Sequence, residues 1–229
     1  MMKLRDWRAL VLWPGVFLVM GFVLLEVGQF DRPIAHALFF AADRGWLGAG
    51  DGDWWAHGLI HSAGRWAVRV VAIAALAAWA LSFKVARLAP WRRETLYVFV
   101  AIATAAAFVG VLKMLTNVDC PWDLAGFGGD RPYVALFADR PDYLPRAQCF
   151  PGAHSSSGFA LMSLYFALRA RRRLAARWAL ALGVTVGAIF SIGQQARGAH
   201  FLSHDLASAA LVWWVLLALY GCMLDQPQV

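Results

Sequence analysis

Six long apolar segments constrain the fold of this chain more than any other feature. A helix needs about twenty mostly apolar residues to cross the hydrocarbon core of a bilayer, and each segment reaches or approaches that length. The fourth is short, and we expect it to begin a few residues early, in the stretch that starts at His154. The sequence therefore predicts an all-α fold, a polytopic membrane protein with a six-transmembrane-helix bundle. The predicted spans cover about residues 10–30, 66–83, 96–115, 155–170, 177–195 and 205–223.

Composition excludes a soluble domain. The 229 residues are 61% hydrophobic and only 15% charged, whereas soluble domains are about half apolar and about a quarter charged. No linker-like stretch divides the chain, so we predict a single membrane domain over residues 1–229. The net charge of +7 does not indicate a nucleic-acid partner, because the basic residues form short clusters between apolar runs.

The first apolar run is predicted to be a span rather than a cleavable signal peptide. It follows Lys3, Arg5 and Arg8, but it is too long for a signal core and no small-residue cleavage site follows it.

Basic clusters alternate with the spans and predict the orientation. Twelve of the 21 basic residues fall on one side, which the positive-inside rule assigns to the cytoplasm. Both termini are then cytoplasmic, and in a bacterial inner (plasma) membrane the opposite loops face the periplasm. The twelve residues are Lys3, Arg5, Arg8, Lys84, Arg87, Arg92, Arg93, Arg169, Arg171, Arg172, Arg173 and Arg177.

Two long stretches face outward in this topology. Residues 31–65 carry Trp46, Trp54 and Trp55, and we expect amphipathic helices lying in the interface. Residues 116–153 hold five Pro and five Asp and predict a long, ordered periplasmic loop. A loop of that length in a small protein is usually functional.

Ionisable residues gather at the outward helix ends. Lys113 lies near the end of the third span, and His154 opens the fourth. Because charges are costly at membrane depth, each is a candidate functional residue.

A third group lies between the fifth and sixth spans. On a regular helix, Arg197, His200 and His204 share one face, and Asp205 points away from His200. Lys and Arg bind phosphate oxygens. One neutral imidazole can attack phosphorus while a second protonates the departing oxygen. The sequence therefore favours phosphate chemistry, although no phosphate-binding Gly-rich loop is present.

These residues resemble three motifs of the type 2 phosphatidic acid phosphatase family, which are Lys-x6-Arg-Pro, Pro-Ser-Gly-His and Ser-Arg-x5-His-x3-Asp. Lys113 precedes Cys120-Pro121 by the first motif's spacing, and Pro151-Gly152-Ala153-His154 stands for the second. For the third, Gly198-Ala199-His200-Phe201-Leu202-Ser203 resembles the histidine segment.

The chain departs from each motif. Cys120 replaces the first Arg, and Arg131 is a stand-in for it. Gly152 replaces the motif Ser, with Ser155 following closely. Gln194 takes the third motif's Arg position, with Arg197 one turn later. His204 falls where the Asp belongs, and a one-residue bulge would bring Asp205 there instead.

The resemblance implies a metal-independent phosphatase without a cofactor, acting on a lipid phosphate. It implies that His200 is the nucleophile that forms a phosphohistidine, oriented by His204 or Asp205, and that His154 is the acid and then the base. The phosphate-binding residues it implies are Lys113, Arg197, Arg131 and Ser155.

Cys120 and Cys149 share the long outward loop. A disulfide between them is expected in an oxidising periplasm, and two free thiols are the alternative. His57 and His61 are spaced like metal ligands, but without a nearby Glu we favour interfacial anchoring.

Three other activities stay open at this stage. A metal-dependent membrane hydrolase would use His154, His200 and His204 as ligands. A transporter would place Lys113 and Arg197 at a midplane anion site. A phosphotransferase of the same family would pass phosphate to another lipid. The sequence does not name the lipid or the oligomeric state.

Overall fold

The protein is almost entirely helical in a computed structural model, which describes residues 4–225 and side chains from Trp7 onward. Lys3 and both chain ends, which entered the predicted orientation, lie outside the described residues. A two-stranded hairpin pairs β1 (Phe40–Ala41) with β2 (Gly45–Trp46). The helices are α1 (Leu4–Glu26), α2 (Asp31–Leu38), α3 (Gly64–Leu81), α4 (Arg92–Thr116), α5 (Ala153–Phe159), α6 (Ser163–Leu168), α7 (Arg173–Ala196) and α8 (Leu202–Met223).

Five helical segments in the described chain are long and apolar enough to cross a membrane. The all-α fold and the membrane class are thus confirmed. The predicted fourth span corresponds to α5 and α6, which a 3-10 turn at Ala160–Met162 joins into one continuous but short helix. The five segments are Trp7–Glu26, Gly50–Leu81, Ala89–Asp123, Arg173–Ala196 and Leu202–Met223.

The segment predicted to lie in the interface is only partly separate from the predicted spans. Residues 31–46 form α2 and the hairpin, but a π-helix at Trp54–Ala63 runs directly into α3. The helix that contains the second predicted span, 66–83, therefore begins well before residue 66. The wide turns of a π-helix are rare and often occur at functional sites.

The outer surface of the bundle is apolar, as a lipid-facing surface requires. Trp13 and Phe17 on α1 are each 75% exposed, and Trp178 on α7 is 71% exposed. Only a hydrocarbon solvent makes such continuous exposure favourable, because water would disfavour it.

The bundle core lies where α4, the α5–α6 helix and α8 meet. Tyr97, Phe166 and Leu216 are fully buried there. The Tyr97 hydroxyl donates to the Leu216 carbonyl at 2.9 Å, which satisfies a polar group that burial would otherwise penalise.

A second, smaller core lies outside the spans, and we call it the cap. Phe40 and Trp46 of the hairpin pack on Phe127 of the long loop and on Phe201, which precedes α8. The Trp46 ring stacks on Phe127 with centroids 5.3 Å apart. The cap therefore ties the long loop to the connection between α7 and α8.

Candidate active site

The connection between α7 and α8 is a sharp break in the helix. Gly198 has φ +74°, and the N–H groups of Ala199 and Gly198 bond back to the carbonyls of Gln194 and Gln195. This is the Schellman arrangement that ends helices at glycine. The prediction that Arg197, His200 and His204 share one face of a regular helix is wrong, because His200 lies in the connection and α8 begins at Leu202.

The break lets His200 meet Asp205. The Nδ1 atom of His200 lies 3.0 Å from Oδ1 of Asp205, and both side chains are buried. Oδ2 of Asp205 accepts a hydrogen bond of 3.0 Å from Nε2 of Gln195. Because a carboxylate only accepts, Nδ1 of His200 carries the proton and Nε2 keeps its lone pair. The predicted separation of Asp205 from His200 is therefore also wrong.

Gly152 packs directly against this pair. A Cβ on Gly152 would lie 2.7 Å from both Nδ1 of His200 and Oδ1 of Asp205, closer than nonbonded atoms approach. Two departures from the family motifs, Gly152 in place of serine and Asp205 in place of an Asp at position 204, are therefore structurally linked. The carboxylate arrives one residue later than in the motif, and the space it fills with His200 leaves no room for the motif's serine side chain.

His154 occupies the first turn of α5, beside the π-helix. Its ring stacks on Phe190 with centroids 4.2 Å apart, and its Nε2 lies 3.2 Å from the Ile60 carbonyl oxygen. A carbonyl only accepts, so Nε2 carries the proton and Nδ1 is the nitrogen left for proton transfer. The fields of His154 and His200 act on each other.

His204 lies between His200 and the long loop, with its ring 6.0 Å from that of His200. It is 3% exposed, its ring meets Phe150 edge-on at 5.3 Å, and it hydrogen-bonds to the backbone of Cys149. Its Nδ1 atom is buried without a hydrogen-bond partner. His204 thus connects α8 to the long loop, while Asp205 contacts His200.

The three cations predicted to bind phosphate lie in three different parts of the structure. Lys113 is partly buried near the end of α4, within electrostatic range of Asp205. Arg197 lies beside Gln194, to whose Oε1 its Nη1 donates at 3.2 Å. Arg131 is held elsewhere in the loop, where Asp119 and Asp123 accept from its Nη1 at 2.7 and 3.5 Å. These bonds raise the pKa of Arg131.

The remaining predicted residues lie close to Gly152 or in the loop. Ser155 is fully buried and donates to the Gly152 carbonyl at 3.1 Å. Cys120 and Cys149 are joined in a disulfide, with Cα atoms 5.1 Å apart. The N–H of Cys149 donates to the Val118 carbonyl, so the bridge holds the start of the loop next to its end.

Two acidic residues of other helices, Asp31 of α2 and Glu26 of α1, contact the start of α8. Oδ1 of Asp31 accepts the N–H of Ser203 at 3.0 Å, one of the four N–H groups that a helix start leaves unpaired. Glu26 lies near the Ser203 hydroxyl, at 3.5 Å. Burial raises the pKa of Asp31 to about 6, and the nearby carboxylates add to this.

Sequence reasoning missed Gln195, Asp31 and the role of His61. His61 is not an interfacial anchor alone, because its ring lies 4.5 Å from that of His154 and its Nδ1 lies 2.8 Å from Nε2 of Gln194. Gln194 could have been found, since it holds the motif's Arg position. Among the residues that the structure describes, no group of three His, Cys, Asp or Glu is placed to hold a metal ion.

Comparison with known proteins identifies a family for the chain. The PAP2 superfamily profile matches residues 94–228, more than half of the chain. The chain therefore belongs to the PAP2 superfamily, whose members are phosphatases that act on phosphate esters. No curated protein and no solved structure matches the chain at a significant level.

Proposed function

We propose that this protein hydrolyses a phosphate ester on a membrane lipid through a phosphohistidine at His200. The observation that carries the proposal is the buried His200–Asp205 hydrogen bond of 3.0 Å. It fixes the tautomer in which Nε2 of His200 is an unprotonated nucleophile. Gln195 satisfies the other carboxylate oxygen, so Asp205 is held still while His200 becomes positively charged.

The reaction then runs in two displacements. Nε2 of His200 attacks phosphorus, the bond to the lipid oxygen breaks, and His154 gives that oxygen a proton. His154 next takes a proton from water, which attacks the phosphohistidine and releases inorganic phosphate. Because the Ile60 carbonyl accepts from Nε2 at 3.2 Å, the proton that reaches the lipid oxygen is the one on Nδ1 of His154.

Charge on the transferred phosphoryl group must be held in the transition state. Lys113 and Arg197 are the cations that we assign to this role. The field of Lys113 reaches Asp205, and Arg197 lies three residues before His200 in the chain. Arg131 as a phosphate ligand stays a prediction, and its ion pairs with Asp119 and Asp123 favour a loop-bracing role.

A lipid substrate is supported by where these residues lie in the chain. His154, Lys113 and His200 all lie at the ends of apolar helices. A phosphate at the interface would reach them while its acyl or prenyl chains remain in the bilayer.

A substrate panel tests the function. Purified protein in detergent is incubated with phosphatidic acid, phosphatidylglycerol phosphate, a prenyl pyrophosphate and a lipid A phosphate, with glucose 6-phosphate as the soluble control. We expect phosphate release from at least one lipid, inhibition by orthovanadate and no loss of activity on chelation. Release from the soluble ester alone would contradict a lipid substrate, and activity lost to chelator and restored by zinc would contradict the mechanism.

The orientation is a separate proposal, in which the site faces the periplasm and both termini face the cytoplasm. Single cysteines are introduced at Asp130 and at Arg172 in protein that lacks the exposed Cys222. A membrane-impermeant thiol reagent added outside should label the first position and not the second. The reverse pattern would contradict the orientation.

A further inference from the structure

His61 is brought to the site by the π-helix at Trp54–Ala63. The segment lies against α7, and a Cβ on Gly193 of α7 would lie 2.7 Å from Ile60, so the two helices are in close contact there. His61 follows Ile60 and is therefore held next to the last turn of α7. Its hydrogen-bond partner in that turn is Gln194, which holds the position of the motif's missing arginine.

One side chain connects His61 to Arg197. Nη1 of Arg197 lies 3.2 Å from Oε1 of Gln194, and Nε2 of Gln194 lies 2.8 Å from Nδ1 of His61. A guanidinium only donates hydrogen bonds, so Gln194 must present its oxygen to Arg197 and its NH2 group to His61.

This chain of bonds fixes the chemistry of the His61 ring. Because Nδ1 accepts from the amide, it carries a lone pair, and the ring is neutral with its proton on Nε2. Nε2–H is then the one donor that His61 has left to offer. The amide of Gln194 acts as a bridge that holds a guanidinium and an imidazole N–H side by side.

The electrostatic setting suits an anion. Arg197, Arg65 and His200 all exert their fields on His61. Hydrogen-bond donors under a positive potential attract a phosphate dianion. The family motif places one arginine at position 194, whereas this chain has a neutral residue there.

We propose that His61 is a phosphate-binding residue that donates Nε2–H to a nonbridging phosphate oxygen, and that Gln194 is the positioning residue that pairs it with Arg197. The pair replaces the arginine of the third motif. This inference rests on the proposed function, since it concerns the same phosphate that His200 attacks.

The test measures binding of inorganic phosphate and orthovanadate to the purified full chain by calorimetry, without turnover. His61→Phe keeps a ring of similar size and removes both nitrogens. We expect its Kd for each anion to rise roughly 10- to 100-fold, the effect of losing a hydrogen bond to a charged group. His57→Phe is the matched control, because His57 is exposed, lies one turn earlier and pairs with Asp53. Its ring lies 5.5 Å from that of His61, and phenylalanine keeps that ring contact. The Kd of this variant should be unchanged.

A second variant separates binding from folding. Gln194→Ala leaves His61 and Arg197 in place but removes the bridge, so anion binding should weaken while the thermal unfolding temperature stays close to that of wild type. Wild-type anion affinity in both His61→Phe and Gln194→Ala would overturn the inference and leave the proposed function intact. Failure of the wild-type protein to bind either anion or to hydrolyse any lipid phosphate would overturn both.

Discussion

Nδ1 of His200 lies 3.0 Å from Oδ1 of Asp205, although the two residues are five apart and would diverge on a regular helix. Gly198 makes the contact possible by ending α7 in the left-handed region, which only glycine adopts at little cost. His200 is thus carried by an irregular connection and Asp205 by the first turn of α8. The contact favours Asp205 over His204 as the residue that orients the proposed nucleophile.

The first prediction compares Asp205→Asn with His204→Phe. Asparagine would favour the wrong tautomer of His200, so kcat should fall roughly 10²- to 10⁴-fold. His204→Phe should instead lower stability by about 1–3 kcal/mol, because it removes a buried hydrogen bond to the backbone of Cys149. Turnover and thermal unfolding are measured for both variants. A larger loss of kcat in His204→Phe would contradict the assignment.

Gly152 should tolerate no side chain. A methyl group would lie 2.7 Å from both members of the His200–Asp205 pair and displace it. We expect Gly152→Ala to reduce kcat roughly 10²-fold, as a displacement near 1 Å does. The matched control is Gly110→Ala in the middle of α4, where nothing lies within 4 Å of the added carbon. That variant should keep full activity and gain up to about 1 kcal/mol in helix stability. Equal activity in both variants would refute the steric argument.

The disulfide should be present in protein purified without reductant. Mass spectrometry of a non-reduced digest is expected to find the Cys120 peptide joined to the Cys149 peptide. A bridge that closes a loop of this length contributes about 3–4 kcal/mol in the chain-entropy account, so Cys149→Ser should unfold at a lower temperature. Cys222→Ser, which changes an exposed thiol, is the control. Two freely alkylated loop cysteines would rule the bridge out.

Asp31 should make stability depend on pH. Burial raises its pKa from 3.8 to about 6, so between pH 4 and pH 6 the folded protein keeps a proton that the unfolded chain loses. The contribution of Asp31 to the free energy of unfolding therefore falls as the pH rises from 4 to 6. The total fall is roughly 3 kcal/mol, and the contribution is constant above that range. Asp31→Asn does not titrate, so its unfolding temperature relative to wild type should rise from pH 4 to pH 6. A constant difference across that range would contradict the prediction.

Most of the fold follows from local sequence. The predicted spans 96–115, 177–195 and 205–223 fall within α4, α7 and α8, because hydropathy alone decides which segments leave water. The earlier start of the helix that contains the second predicted span was not foreseen, since Trp54, Trp55 and the histidines of the π-helix dilute the apolar signal. The position of these residues depends on packing against α7, and a local sequence pattern does not reveal such a contact.

The site was predicted less completely than the spans. His154 and His200 carry recognisable spacing, and both stay predicted catalytic residues. The prediction that His200 and His204 share a face assumed a continuous helix. Gly198, in the left-handed region, ends α7 before His200, so the prediction fails. The bonds from Gln194 to His61, 133 residues away, and from Asp31 to Ser203, 172 residues away, exist only in the folded chain.

Chemical trapping of the phosphorylated enzyme tests the central claim most directly. In His154→Ala an aryl phosphate, whose leaving group needs no proton, should still phosphorylate the protein, while the water that removes the phosphoryl group is no longer activated. The account predicts an acid-labile, alkali-stable phosphoryl group that accumulates in this variant and maps to His200, and that is absent when His200→Ala is added. Turnover in His200→Ala, or a phosphoryl group on any other residue, would contradict it.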